Sequence, residues 1–354
     1  MKETIRQHYK DYPQAELQDL FKIIYQSEFG PGHIIEDRKK NFKRLMREFE
    51  RTGGTTKENV VDFLPPRLCR LHLQILNQST LSIHTLQRFF ELSAEKSQGT
   101  IQAYHEKIES LRELCVDGDL PFDPEKVDQF KAKIDVSSPK RVRHSDTYRS
   151  AYEPVYRVVS KVFYEVLPLF ARIDELMSQR GHVLVAIDGD CAAGKTTLAT
   201  LLKSVYGCDI IHIDHFFLRP EQRHDARLAE PGGNIDHERF TEEVLNKLKT
   251  NKTFSYRPFN CMTGDFDAPI SISTKKLTII EGSYSHHPVL ALNYDLKVFL
   301  SLPEEVQLAR ILKRNGDVMY EKFKSTWIPM EKWYAETLNI QKNSDLQFDD
   351  LTLI

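Results

Sequence analysis

Residues 181–203 read GHVLVAIDGDCAAGKTTLATLLK. Gly189, Gly194, Lys195 and Thr196 form the pattern G-x-x-x-x-G-K-T, with the apolar run Val183–Ile187 before it and a helical pattern after it. A phosphate-binding loop needs this strand–loop–helix setting. The glycines let the backbone wrap close to phosphate oxygens, so that successive N–H groups and a helix N-terminus face the anion. The stretch expected to cradle the phosphates is Gly189, Asp190, Cys191, Ala192, Ala193, Gly194, Lys195, Thr196 and Thr197. Lys195 is placed to reach the β- and γ-phosphates, and Thr196 to offer its hydroxyl to Mg²⁺. ATP and Mg²⁺ are therefore the expected cofactors. Cys191 has two readings: an oxidation-sensitive thiol, or a small residue filling a tight loop.

The chain has 354 residues, enough for two domains that each bury a core. Its 40% hydrophobic and 28% charged content is that of an ordinary soluble protein. A formal net charge of −2 gives no global electrostatic reason to expect nucleic acid or membrane as a partner. No apolar run is long enough to span a bilayer, and the first residues, MKETIRQHYKDYP, lack a signal-peptide apolar core. The five cysteines are odd in number, scattered and without a C-x-x-C pair. Reduced thiols in the cytoplasm are the plain expectation.

The two halves differ in pattern. Residues 1–178 show helical periodicity and almost no strand signal, which predicts an all-α domain. Leu17, Leu20, Phe21 and Ile24 recur at helix spacing before FGPGH (29–33) breaks the chain. That turn reads either as a tight interhelical connection or as a substrate loop. A second amphipathic segment runs from about Ile34 to Phe49, with further helices expected at 67–78, 82–96, 100–115 and 124–134. A long helix is expected from Ala151 to Met177, kinked at Pro168. Residues 179–354 instead alternate short β runs with helices, the signature of an α/β parallel sheet. The runs lie at 182–187, 209–213, 277–280, 295–301 and 345–348, with helices at 195–205, 238–249, 304–314 and roughly 320–340.

In open α/β sheets ligands bind at the carboxyl ends of the strands. Asp214 ends the second run (IHIDHFF) and Glu281 the third (TIIEGSY). Glu281 suits the metal side, and Asp214 the position where an acceptor hydroxyl gives up its proton. Each also reads as a helix-capping carboxylate. Asp236, after the Gly232–Gly233–Asn234 turn, is either a helix N-cap or a grip on substrate hydroxyls. Arg223 in the preceding segment and Tyr256 in FSYRPFNCMTGDF are further substrate-side candidates, with core packing the alternative for Tyr256. Arg310 and Arg314 fall four residues apart on one helix face, either to neutralise a transferring phosphoryl group or as solvated surface charges.

Together GDCAAGKT, IDHFF, GGNIDHERF, the Tyr256 segment, IIEGSY, DLKVFL, RILKRNG and SDLQF resemble the uridine kinase/phosphoribulokinase branch of P-loop kinases. The resemblance runs through the C-terminal half and implies a five-stranded parallel sheet flanked by helices. It implies Asp214 as general base, Glu281 as the Mg²⁺-side acid, Asp236 as the ribose-hydroxyl grip, and Arg310 and Arg314 as lid arginines. This chain departs from the family pattern at two places. Tyr256-Arg-Pro-Phe-Asn-Cys-Met has no histidine where uridine kinases carry one, and Gly316 follows RILKRN where a longer arginine-bearing lid segment is expected.

In the N-terminal half the strip PKRVRHSDTYRSAYEPVYR (139–157) is basic and aromatic, with Tyr148, Tyr152 and Tyr156 expected on one helix face. It reads as an amphipathic linker helix, or as an element that closes over an anionic substrate. The neutral net charge argues against RNA. The chain is expected to be an ATP- and Mg²⁺-dependent phosphotransferase acting on a small-molecule hydroxyl, such as that of a nucleoside or sugar-like compound. The alternative is a nucleotide-switch ATPase whose helical half binds a partner.

Overall fold

The amphipathic segments of the N-terminal half fold as α1 (Lys2–Asp11), α2 (Leu17–Phe29), α3 (Arg38–Glu50), α4 (Ile83–Glu95), α5 (Ile101–Val116), α6 (Pro124–Ala132) and α7 (Asp146–Tyr152). Side-chain oxygens of Ser82, Thr100, Asp123 and Ser145 accept from the backbone N–H groups that open α4 to α7. Ile5, Leu20, Phe21, Ile24, Ile108 and Leu111 meet in one apolar core. The computed structural model describes residues 1–31, 37–96, 99–133, 141–250 and 252–351. The FGPGH turn, the start of the segment expected from Ile34, and Pro139–Lys140 of the basic strip therefore lie partly or wholly outside the described residues.

This half is mostly helical, as expected, and it carries an addition. A three-stranded antiparallel sheet is formed by β1 (Val61–Leu64), β2 (Leu68–His72) and β3 (Tyr156–Ser160), in the order β1-β2-β3. The segment expected as a helix over 67–78 is β2 followed by a single helical turn, Ile75–Gln78. The expected helix from Ala151 to Met177 is the end of α7, then β3, then Lys161–Glu165, then α8 (Leu167–Gln179). Pro154 explains the break, because a residue before proline is driven out of the α region. Glu153 accordingly ends α7 in the left-handed conformation, with φ 40°. Tyr148 and Tyr152 share α7, whereas Tyr156 belongs to β3. Pro168 sits in the first turn of α8, where no backbone donor is needed, and makes no kink in a longer helix.

The chain divides into two compact units, Met1–Ala171 and Arg172–Ile354, with the boundary inside α8. In the second unit the apolar runs become β4 (Val183–Gly189), β5 (Asp209–His212), β6 (Leu277–Glu281), β7 (Leu296–Ser301) and β8 (Leu346–Asp349). They form one all-parallel sheet in the order β8-β7-β4-β6-β5. Every residue of the central strand β4 is buried, as a strand covered on both faces requires. Helix α9 (Lys195–Tyr206) follows the glycine-rich loop. A helix from His237 to Leu248, with a π turn at Thr241–Leu245, packs Phe240, Val244 and Leu248 into the core beside Ile211 and Ile280. Helix α10 (Glu304–Lys322) is interrupted at Gly316 (φ 74°, ψ 176°), a π turn follows at Phe323–Trp327, and α11 is Ile328–Thr337. No helix among the described residues is long and apolar enough to cross a membrane.

Gly189 closes β4 at φ 137°, and a Cβ built on it falls 2.0 Å from the carbonyl oxygen of Leu300. Gly189→Ala should therefore destabilise the second unit by about 3 kcal/mol or more, the range for a clash that backbone must absorb. A denaturant melt that follows this unit measures it, with Gly207→Ala, whose Cβ meets nothing within 4 Å, as the milder comparison.

Candidate active site

Loop geometry begins with the two residues that end β4. Asp188 is buried, and its carboxylate accepts from the N–H groups of Gly189 (2.7 Å), Tyr284 (3.2 Å) and His286 (2.8 Å) and from the Tyr334 hydroxyl (2.9 Å). The loop then turns through Ala192 (φ 62°) and Gly194 (φ 96°) into α9. Asp190 accepts from the N–H of Leu302 at 2.9 Å, tying the loop to the end of β7. Cys191 is buried, and burial pushes its thiol up to about 12, with Glu331 reinforcing the shift. Of its two readings, the space-filling one fits: a thiol held protonated is not a reactive one.

Lys195 caps the loop from inside. Its ammonium donates to the carbonyls of Gly189 (2.7 Å) and Asp190 (2.9 Å) and to Ser283 Oγ (3.1 Å). Thr196 Oγ1 donates to the two oxygens of Glu281, at 3.1 and 3.2 Å. His212 Nδ1 pairs with the same carboxylate, and that hydrogen bond raises the imidazole pKa against the opposing effect of burial. One hydroxyl and one carboxylate therefore converge beside the loop. Among the described residues, no group of three or more His, Cys, Asp or Glu side chains is arranged to hold a metal ion. This oxygen pair suits Mg²⁺, which keeps several waters and takes its other ligands from phosphates.

Asp214, two residues past β5 and opposite Gly282, has no hydrogen-bond donor among the described residues. The residue is exposed at the surface. Desolvation raises its pKa to about 6; Glu281 and Glu331 add to the rise, and Lys195 opposes it. Gly282 (φ 132°) leaves room for this approach, since a Cβ there falls 2.5 Å from Ile213 and 3.0 Å from Asp214 Oδ1.

No family model matches the chain. A cytidylate kinase of Methanosarcina barkeri is 22% identical over 169 residues, 48% of this chain and 82% of the relative. A possible uridine kinase from Bacillus stearothermophilus aligns with TM-score 0.37 and 22% identity over 51% of this chain and 100% of its own. Shikimate kinase from Aquifex aeolicus aligns with TM-score 0.25 and 17% identity over 48% of this chain and 86% of its own. Over about half its length the chain is similar to P-loop kinases. The likeness is to their fold and extends to no substrate.

The remaining expected residues divide. Arg310 reaches the glycine-rich loop, donating to the Ala192 carbonyl at 3.4 Å, and also pairs with Asp350 at 3.1 Å. Arg314 does not: its contacts are Asn315 Oδ1 at 2.7 Å and the ring of Phe323 at 6.0 Å. Asp236 is buried and caps its helix, accepting from Arg239 N–H at 3.0 Å and Gln222 Nε2 at 2.8 Å. Tyr256 is a core residue packed on Phe216, its hydroxyl 3.0 Å from His215 Nδ1. Arg223 is exposed and donates to the Leu218 carbonyl at 2.9 Å.

Sequence reading missed Glu331. From α11 its carboxylate accepts from the Cys191 N–H at 2.9 Å and from Ser283 Oγ at 2.8 Å. Cys191, Ile311 and Ile328 pack together with Tyr320 and Phe323, so the chain after Gly316 returns to cover the loop. No motif announced this, because the contact spans 140 residues. A carboxylate on a loop N–H competes with a phosphate for the same donor. Glu331→Gln keeps the shape and removes the charge, and should tighten ATP binding about fivefold, as expected for relieving one partly screened repulsion; equilibrium titration with ATP measures it.

Proposed function

We propose that residues 179–354 form a Mg·ATP-dependent phosphotransferase domain whose acceptor is the hydroxyl of a small metabolite, with a nucleoside or sugar-like compound as the leading class. The single observation that carries the acceptor side is Asp214. It is an exposed carboxylate without a donor partner among the described residues, near Lys195 and Glu281, with its pKa raised towards neutrality. A nucleotide switch needs no such group, and that reading is not favoured.

In this reading the loop 189–197 holds the ATP phosphates on its N–H groups and on the N-terminus of α9. Lys195 leaves its carbonyl partners and follows the charge that develops on the transferring group, and Arg310 adds a second cation at the loop. Thr196 and Glu281 would hold Mg²⁺, which when bound neutralises phosphate charge. His212 keeps the Glu281 carboxylate oriented. Asp214 accepts the acceptor's proton as the hydroxyl oxygen bonds to the γ-phosphorus and the bond to ADP breaks. Five free cysteines fit a reducing, cytoplasmic setting.

The test is ADP release from Mg·ATP across a panel of nucleosides, sugars and vitamin precursors. An acceptor-dependent rate is expected, and Asp214→Asn should lower kcat by about a hundredfold or more while ATP still binds. Loss of ATP binding in that variant refutes the assignment as base. Because a base must be unprotonated, kcat/KM should fall about tenfold per pH unit below about pH 6 and be level above it. A profile flat to pH 5 rules Asp214 out as the base.

A further inference from the structure

The basic strip of the N-terminal half packs Tyr148 inward and leaves Arg141, Arg143 and Arg149 exposed. Its residues line a cavity of about 1030 Å³ contained within the first unit. That volume is at the upper end of small-ligand pockets. The charge of its lining is one-sided: seven lysine and arginine side chains against the carboxylates of Glu48 and Glu153. Glu48 is already used, bonded to Arg157 at 2.6 Å and Arg44 at 2.7 Å. Two rim arginines, Arg51 and Arg143, are exposed, and neither side chain has an ion-pair partner among the described residues.

Deeper in the wall the excess is harder to explain by structure alone. Lys22 is 5% exposed, and the one hydrogen bond of its ammonium among the described residues goes to the Val142 carbonyl, at 2.9 Å. Arg70 is fully buried behind the lining, 4.9 Å over the ring of Tyr156. Its Nε donates to Gln26 Oε1 at 2.8 Å, and both terminal nitrogens lack a partner among the described residues. Unpaired buried cations cost several kcal/mol each, roughly, and persist where something else compensates them. Burial, with the charges of Arg70 and Arg141, lowers Lys22 to about 7, the response of an ammonium in a positive potential.

The lining is also held rigidly. Asp19, fully buried, accepts from His144 Nδ1 at 2.8 Å; His144 Nε2 faces the Tyr156 hydroxyl at 2.7 Å; and Gln26 Nε2 reaches that hydroxyl at 3.3 Å. With Arg70 donating to Gln26 Oε1, and the Tyr156 hydroxyl (also 3.4 Å from that oxygen) turned to His144, the protons run from the arginine towards Asp19. Burial lowers His144 to about 3, so it acts as the neutral relay this order requires. Tyr156 and Gln26, both on the cavity wall, are thereby fixed in place.

We propose that this cavity is a binding site for a small, multiply phosphorylated anion. Arginine forks and a lysine around a concave wall match several phosphate groups at once, and the cavity has room for an organic moiety as well. This assignment is independent of the phosphotransferase reading and concerns a different unit of the chain.

The test is calorimetric titration of the full-length chain with inorganic tripolyphosphate and with ATP, in a Lys195→Ala background that weakens the loop site. Both probes should bind. Arg51→Glu/Arg143→Glu, which alters only exposed side chains, should weaken both about tenfold or more. Lys22→Met, which keeps the stem volume, should do the same if it folds. In the chain with Lys195 intact, the arginine double variant should leave Mg·ATP turnover unchanged. The proposal is overturned if no binding survives Lys195→Ala, or if the charge reversal leaves binding intact. Citrate binding as tightly as tripolyphosphate, or an RNA oligonucleotide binding more tightly, would overturn it equally.

Discussion

Four hydrogen bonds to the buried carboxylate of Asp188 organise the C-terminal unit. They gather the end of β4, two N–H groups of the loop after β6, and a hydroxyl from α11. A buried carboxylate must be satisfied on both oxygens, and here each oxygen takes two donors. Satisfying Asp188 therefore fixes where three distant segments meet. Tyr284, which supplies one of those donors, is held at φ 75°, a conformation a bulky residue adopts only when its surroundings demand it. Gly189 beside it lets the strand end pass against Leu300 with no side chain between.

Around this knot the charges are unequal. Lys195 sits near three carboxylates, those of Asp214, Glu281 and Glu331, and each is anchored differently. Glu281 is held by Thr196 and His212, and Glu331 by a loop N–H and Ser283. Asp214 has neither, and it is the one whose pKa rises to about 6. Hydrogen bonds stabilise the charged form of a carboxylate, whereas crowding without them favours the neutral form. The same site thus holds two carboxylates by hydrogen bonds and leaves Asp214 without one.

The N-terminal unit shows the complementary case, a surplus of buried positive charge. Asp19 offsets Arg70 through Gln26, Tyr156 and His144 rather than by direct contact. A chain of neutral groups transmits that compensation only if each has one orientation, which makes the wall they form rigid. Its residues come from α2, β2, β3 and the segment just before α7, so the arrangement exists only once the small sheet has formed.

The sequence by itself determined the parallel-sheet half with little error. The buried strands β4 and β6 leave mostly apolar runs, and a glycine-rich loop carries its own signature, so the sheet, the loop and the positions of Asp214 and Glu281 were all legible. The roles open for Asp236 and Tyr256 were not separable in sequence, because a capping aspartate and a packed tyrosine look the same as ligand-binding ones. The small sheet was hidden because its strands are four or five residues long and β3 pairs with β2 from more than eighty residues away. Glu331 on the loop and the cationic cavity were likewise decided by tertiary structure alone. Local periodicity reports which face of an element is buried, but only folding decides which charges are left without partners.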